Sequence, residues 1–416
     1  MELKTKYQYS YFIYPYIIEE KKYDKYLLKL LKDKHCTLKM WEKEKDLNIY
    51  SYFLPKIRDY LFWSFSYSKE MKRKLEELEI MQKSALLSKY PCTMFEYNLG
   101  KDVQAKIGEE NGIFFSIDKM EVICFKKGIC FLIFKTIIES DSNFSNILDF
   151  NYKFRDINSE FTFLKNYENI RLQTNNFKDI KELSNVIKNI TGPNKDAKEM
   201  NIENERFLTY SYTCIDQENW KQEDDFEKLE GEFIKFANIL PSNYQINYSK
   251  NWTENQTLQY LKYTKIGFTK QGTSLFTSSI NPENYTKLSF AYENEYLYTY
   301  ILALYKKIVL NKISLELEKT KRIEETRDEL LDFTRNMWGQ EITHSDQGIM
   351  LYEKWKESLD LERLYSEIKG KFEIEYKNIN IEKTKKVNYA TIIVLIITIM
   401  FIITYWLGQL GGKFWR

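Results

Sequence analysis

The stretch ATIIVLIITIMFIITYWL, residues 390–407, decides the architecture of this chain. It belongs to a longer run, 387–410, that contains no charged side chain. A helix of about 20 apolar residues crosses a hydrocarbon core of about 30 Å, and a buried core helix is rarely this long and this free of charge. The sequence therefore predicts one membrane-spanning helix at 387–407, followed by a short tail at 408–416.

The polar residues of this span recur at intervals that a helix brings to one side. The polar residues Asn388, Thr391, Thr398, Tyr405 and Gln409 are separated by three, seven, seven and four residues. A helix has about 3.6 residues per turn, so these intervals return to one face. Apolar residues occupy the turns that the polar ones skip. The resulting face comprises Asn388, Thr391, Leu395, Thr398, Ile402, Tyr405 and Gln409.

This polar stripe has two interpretations. In the first, the threonine hydroxyls bond to their own backbone carbonyls, or hold the helix against others in a bundle. In the second, the stripe lines a pore at the centre of a ring of identical helices. One helix cannot enclose a pore, so the second interpretation requires a homo-oligomer.

The flanks of the span are typical of a membrane interface. Lys383, Lys385 and Lys386 precede it, and Trp406 and Trp415 lie where an aromatic belt is expected. The first residues of the chain have no apolar signal-peptide core. We therefore expect a single-pass protein of the inner membrane, in contact with lipid, with its N-terminal bulk in the cytoplasm.

Charge and cysteine usage exclude several classes of protein. The chain has 62 Lys and Arg against 60 Asp and Glu, a net charge of +2. A nucleic-acid-binding protein normally carries a basic excess, so we expect no nucleic-acid partner. Five cysteines without a C-x-x-C pair indicate reduced thiols.

The sequence contains no pattern of catalytic residues. A phosphate-binding P-loop, a dinucleotide fingerprint, a zinc-protease helix motif and a nucleophile elbow are all missing from it. Two histidines in the whole chain leave a zinc site short of ligands and limit acid–base catalysis. We expect neither an enzyme, nor a cofactor, nor a bound metal.

Residues 1–290 combine strand and helix patterns, which predicts an α+β domain, the candidate sensor. The clearest element is a hairpin in which EVICF, 121–125, and ICFLIF, 129–134, flank a turn containing Gly128. Because the second run is apolar on both faces, it is expected to be a central strand. Phe150, Tyr152 and Phe154 alternate with polar residues and predict a further strand.

Residues 291–386 predict a long helical stalk, because the chain has no proline after Pro282. Apolar residues recur at helical spacing in two runs, 297–308 and 323–337, with a break between them. A turn is expected from Trp338, and a further helix is expected to start near Ile349 and run towards the membrane. The predicted fold is thus an α+β cytosolic domain, a long helical stalk and one C-terminal transmembrane helix.

This order of parts resembles the CorA-type cation channel family. The resemblance is sharpest in YLYTYILALYKK, 296–307, which leads into the stalk, and in 385–406; the strand KGICFLIF, 127–134, is compatible with the family's body. It implies a pentamer in which the stripe that includes Asn388, Thr391 and Thr398 lines the pore. The family's Gly-Met-Asn loop and second membrane helix are missing after Gly408, so magnesium selectivity is not implied.

Divergent CorA-like proteins also occur as membrane effectors beside type III CRISPR systems. That resemblance implies an antiviral-defence effector gated through its cytosolic domain by a nucleotide messenger. We therefore expect a homo-oligomeric, channel-like protein. The alternative is a tail-anchored binding or scaffold protein whose helix is only a membrane tether.

Overall fold

The computed structural model describes residues 3–100, 104–107, 112–138, 143–156, 170–174, 176, 180–192, 206–246, 256–318 and 323–411. Within these ranges twelve strands form one sheet. The strands are β1 (Thr5–Ile17), β2 (Cys36–Leu38), β3 (Cys92–Tyr97), β4 (Gln104–Ile107), β5 (Ile113–Phe125), β6 (Ile129–Ile138), β7 (Ile170–Gln173), β8 (Lys181–Glu182), β9 (Leu208–Ile215), β10 (Thr257–Leu258), β11 (Thr264–Thr269) and β12 (Gly272–Ser278).

Helices lie between and after the strands, and the longest ones come last. They are α1 (Tyr23–Lys32), α2 (Leu47–Tyr52), α3 (Pro55–Leu61), α4 (Lys69–Glu77), α5 (Ile80–Leu87), α6 (Phe144–Phe154), α7 (Leu183–Thr191), α8 (Phe226–Ala237), α9 (Pro282–Tyr285), α10 (Lys287–Ala291), α11 (Leu297–Glu318), α12 (Ile323–Phe333), α13 (Asp346–Ser358) and α14 (Leu361–Gly411). A π-helical turn, Tyr292–Tyr296, joins α10 to α11.

The predicted hairpin is confirmed at the centre of this sheet. Strands β5 and β6 are antiparallel, with Cys124 opposite Cys130, and Gly128 adopts a φ of 78° in the turn. A Cβ at Gly128 would lie 1.9 Å from the carbonyl oxygen of Ile18, so both the turn and the neighbouring chain require glycine there. Strand β6 lies between β5 and β1, which explains why it is apolar on both faces.

Two hydrophobic cores lie on the two faces of the sheet. Along β1 the side chains alternate between them: Tyr9 and Tyr11 pack into the first core, while Phe12 and Tyr14 pack into the second. The second core is covered by α1, α6, α7 and α8. The first is covered by the C-terminal helices, so the chain leaves the domain on this side.

The predicted strand around Phe150 is wrong, because these residues belong to helix α6. Phe150 and Phe154 are four residues apart, a spacing that also suits one face of a helix. Ile147 and Asn151 are buried on that same face, while Tyr152 is only half-buried. Alternation over three aromatic residues was therefore too short a pattern to distinguish the two structures.

Long helices follow the sheet domain, as predicted, but the first of them packs onto the sheet. Helix α11 is buried all round from Leu297 to Tyr305 because the sheet covers one side and α12, α13 and α14 cover the other. Helix α14 remains packed on α11 as far as Lys371, whose ammonium lies 3.2 Å from the carboxylate of Glu318. Beyond Phe372 the described side chains of α14 are mostly exposed.

Candidate functional site

The apolar segment of α14 is the first candidate. Within the described residues, one helical stretch is long and apolar enough to cross a membrane: Thr384–Tyr405, with 22 residues, a mean hydropathy of 2.4 and no buried part. A soluble protein rarely exposes so large an apolar surface without a partner. The segment is continuous with the rest of α14, which at about 1.5 Å per residue is a rod of roughly 75 Å.

The polar stripe runs along this exposed segment. Because the helix is unbroken, the intervals read from the sequence place the seven residues on one face. Asn388, Leu395, Ile402 and Tyr405 are exposed in the single chain. Gln409 lies in the same helix, and its side chain is outside the described part of the structure.

The threonine hydroxyls of the segment bond to their own helix. Thr391 donates to the carbonyl of Val387 at 2.9 Å, and Thr398 donates to Val394 at 2.8 Å. Thr404, on the opposite face, does the same with Met400 at 3.0 Å. The hydroxyl oxygens still have lone pairs that face outward, so this bonding is compatible with both interpretations of the stripe.

The predicted interface residues fall at the two ends of the segment. Lys385 and Lys386 are exposed at its start. Lys383 and Trp406 lie in α14 with side chains outside the described part, and Trp415 lies outside the described residues altogether. The lysines are thus placed where they would snorkel to phospholipid headgroups if the segment entered a bilayer.

An elbow between α13 and α14 attaches the long helix to the edge of the sheet. Asp360 adopts a φ of 58°, a left-handed conformation that ends one helix and starts the next. Its carboxylate lies 3.2 Å from the ammonium of Lys270, in the turn between β11 and β12. Just before the elbow, the indole of Trp355 donates to the hydroxyl of Thr273 in β12 at 2.9 Å. Both contacts hold the elbow against the same hairpin.

A network of buried charges joins the sheet to α11. Glu121 of β5 is 2% exposed and pairs with Lys39, with Lys119 at 3.2 Å, and with the hydroxyl of Tyr298 on α11 at 3.3 Å. Burial alone would raise the pKa of this carboxyl, but Lys39 and Lys119 outweigh it and lower the pKa to about 2. Glu121 is therefore ionised at every physiological pH.

A second branch of the network involves the π-helical turn. Glu293 accepts from Lys135 of β6 at 2.7 Å and from the hydroxyl of Tyr11 at 2.9 Å. π-helical turns inside helices often occur at functional positions. Here the π-helical turn directs the carboxylate of Glu293 towards strands β1 and β6 at the centre of the sheet. These contacts fix the position of the turn, and of the start of α11, on the sheet.

A buried amine lies between α11 and α13. Lys306 is fully buried, and its ammonium donates to the hydroxyl of Tyr352 at 2.7 Å. Burial lowers the pKa of this lysine to about 7, with Lys356 adding to the decrease. Groups of this kind are candidates for functional sites, because they change charge near neutral pH.

A cleft of about 620 Å³ opens beside this amine. It lies between the loop that follows a second π-helical turn, Thr334–Trp338, helix α13 and the first turn of α14. Its lining includes apolar and aromatic side chains together with carboxylates, and a second groove of about 660 Å³ continues from it along α13. The lining residues of the first cleft are Trp338, Gly339, Gln340, Glu341, Ile342, Thr343, His344, Ile349, Tyr352, Glu353, Lys356 and Glu362.

The sequence predicts the long apolar segment at the C-terminus, and the structure confirms an exposed helix there. The elbow, the buried charges and the cleft were not predicted. In the part of the chain that the structure describes, no group of three or more His, Cys, Asp or Glu is arranged to hold a metal ion.

No protein-family model, no curated protein and no solved structure matches this chain.

Proposed function

We propose that this chain forms a homo-oligomeric, channel-like membrane protein whose sheet domain controls the membrane helix. The observation that carries the proposal is the continuity of α14. One helix begins at the elbow, packs on α11, and extends through the apolar segment without interruption. A change in the angle at the elbow would therefore be transmitted along a rigid rod to the segment in the bilayer.

The polar stripe supports a pore rather than a plain anchor. The other faces of the segment carry mainly Ile, Val, Leu, Met and Phe, side chains that suit contact with lipid. In a ring of identical helices, the stripe would face the axis and the apolar faces would face lipid. The resemblance to CorA-type channels implies five copies in that ring.

The same proposal implies a cellular location and a membrane topology for the protein. The apolar segment would cross the inner membrane once, with the sheet domain in the cytoplasm and lipid and further copies of the chain as its partners. The resemblance to CRISPR-associated CorA-like proteins implies a defence effector that answers a nucleotide messenger. Such a messenger is polyanionic and would need a site with basic side chains.

Ion flux from liposomes that contain the purified full-length chain tests the proposal. We expect flux that falls to near the level of empty liposomes when Thr391 and Thr398 are both replaced by leucine. The matched control is Thr404→Leu, which removes an equivalent back-bonded hydroxyl from the opposite face. Unchanged flux in the double variant, or an equal loss in the control, would contradict a pore lined by this stripe.

A membrane-tethered binding or scaffold protein is the second candidate. It is favoured by the back-bonding of Thr391 and Thr398, because hydroxyls already satisfied within the helix need no partner. Replacing 387–407 by a leucine–alanine helix of equal length distinguishes the two functions. A tether would still bring the sheet domain to liposomes and nothing else would change, whereas a channel would lose its flux.

A further inference from the structure

The lining of the cleft beside the elbow carries an excess of carboxylates. The carboxylates are those of Glu341, Glu353 and Glu362, and the basic side chains of the lining are Lys356 and His344. The aromatic rings of Trp338 and Tyr352 lie among them. An excess of carboxylates repels phosphates and other anions, whereas aromatic faces and carboxylates together attract ammonium groups.

Lys356 shows how an ammonium is held there. Its nitrogen lies 3.1 Å from the carboxylate of Glu353 and 2.8 Å from that of Glu362. It also lies 5.8 Å from the centre of the Tyr352 ring. The chain therefore places one of its own cations in this cleft, between two carboxylates and over an aromatic ring.

We infer that the cleft binds a small organic cation: an amine whose ammonium displaces or joins that of Lys356, and whose apolar part packs against the cleft wall. Trp338 is suited to that packing, since its ring is already fixed by stacking on Tyr365 with 4.3 Å between the centroids. Ile342 and Ile349 complete the apolar wall. The ligand class is thus an aryl- or alkylamine.

The position of the cleft connects this site to the membrane helix. Glu353 belongs to α13 and Glu362 to the first turn of α14, so the two carboxylates lie on opposite sides of the elbow at Asp360. A cation held by both would favour one angle between the helices. This consequence rests on the proposed channel function, whereas the binding of an amine does not.

Binding is tested by isothermal titration calorimetry of the full-length chain in detergent with three probes that share one ring: phenethylamine, phenethyl alcohol and phenylacetate. We expect phenethylamine to bind at least about tenfold more tightly than the neutral and anionic probes. Adenosine monophosphate serves as a phosphate-bearing fourth probe. Tighter binding of phenylacetate or of the nucleotide would overturn the proposal.

Variants locate the site and separate recognition from folding. Replacing Glu353 and Glu362 by glutamine removes the charge from side chains that are 59% and 63% exposed, so the fold is expected to persist. The double variant should lose about tenfold in phenethylamine affinity. The control Glu70→Gln changes a glutamate that is 67% exposed on α4, outside the cleft, and should leave affinity unchanged.

Lys356→Gln supplies a result of the opposite sign. It removes the internal ammonium and frees both carboxylates, so phenethylamine should bind about three- to tenfold more tightly than to the wild type. Equal affinity in the wild type and in both cleft variants would overturn the site. Amine binding without any liposome flux would support the amine site and contradict the proposed channel. Liposome flux without amine binding would support the channel and contradict the amine site.

Discussion

At the scale of single residues, Lys306 is the side chain whose environment departs furthest from its sequence context. It follows an apolar run in α11, is fully buried, and has a tyrosine hydroxyl rather than a carboxylate as its hydrogen-bond partner. Burial and the charge of Lys356 lower its pKa to about 7, against the opposing effect of Glu353 and Glu362. Holding a lysine there costs stability.

Replacing Lys306 by methionine should therefore stabilise the protein at neutral pH. The unfolded chain protonates this lysine below its ordinary pKa, while the folded chain does so only below about 7. In the wild type this group lowers stability as pH falls from about 10.5 to 7, and the loss then stays constant. We expect the variant to be more stable by on the order of 1–3 kcal/mol at pH 7, and by less at pH 9.5.

Thermal unfolding of the full chain in detergent at the two pH values measures this effect. Lys287→Met is the control, because Lys287 is 79% exposed and its loss should shift the melting temperature little at either pH. A difference in melting temperature between the wild type and Lys306→Met that is the same at both pH values would contradict the lowered pKa of Lys306.

Glu121, unlike Lys306, is a buried charged group with partners of opposite charge, because its carboxylate pairs with two lysines. Glu121→Gln would leave Lys39 and Lys119, which are 13% and 29% exposed, beside an uncharged group. Removing one partner of a fully buried pair costs about 3–5 kcal/mol, and we expect a cost at the lower end, about 3 kcal/mol, because Lys39 keeps its ion pair with Glu96. Because the pKa of Glu121 is lowered to about 2, its contribution is present above about pH 4.5 and is lost as the pH falls towards 2.

Chemical denaturation at pH 7 and pH 3 measures this contribution. The matched control is Glu96→Gln, since Glu96 pairs with the same Lys39 at 3.5 Å but is 51% exposed. The control should cost less than about 1 kcal/mol. Equal effects of the two substitutions would show that burial of Glu121 does not matter.

At the scale of elements, the elbow at Asp360 determines where the long helix points. A left-handed conformation costs an ordinary residue about 1–2 kcal/mol, and aspartate and asparagine tolerate it better than β-branched residues do. Asp360→Val should therefore destabilise the elbow and lower the melting temperature by about 1–2 °C, because the unfolding entropy of a chain of this length is about 0.9 kcal/mol/K. Asp360→Asn should have little effect, because the ion pair with the 74%-exposed Lys270 is weak.

Hydrogen exchange of α13 and the first turns of α14 localises this effect. Faster exchange in both helices is expected for Asp360→Val and not for Asp360→Asn. Faster exchange confined to the apolar segment would place the hinge elsewhere in α14.

At the scale of the whole molecule, the exposed apolar segment and its polar stripe need further copies of the chain if they form a pore. Native mass spectrometry of the protein released from detergent should therefore give complexes of four or more chains, and five if the resemblance to CorA-type channels holds. A monomer or dimer across a range of detergents would contradict the pore and favour the tether.

The local features of this protein follow from its sequence alone. The apolar segment, the β5–β6 hairpin and the helices between Leu297 and Ser358 were predictable, because hydrophobic length and periodicity act over neighbouring residues. The error at Phe150 arose where a short pattern suited both a strand and a helix.

How these parts pack together depends on contacts that form only when the chain folds. That α11 lies on the sheet, that Glu121 meets Tyr298 across 177 positions of sequence, and that Lys306 is buried under Tyr352 all depend on contacts between distant segments. No local pattern distinguishes Glu121 or Lys306 from the other charged residues of the chain. Their unusual pKa values come from burial and from partners that folding brings together, so they follow from the packing of the molecule and not from its periodicity.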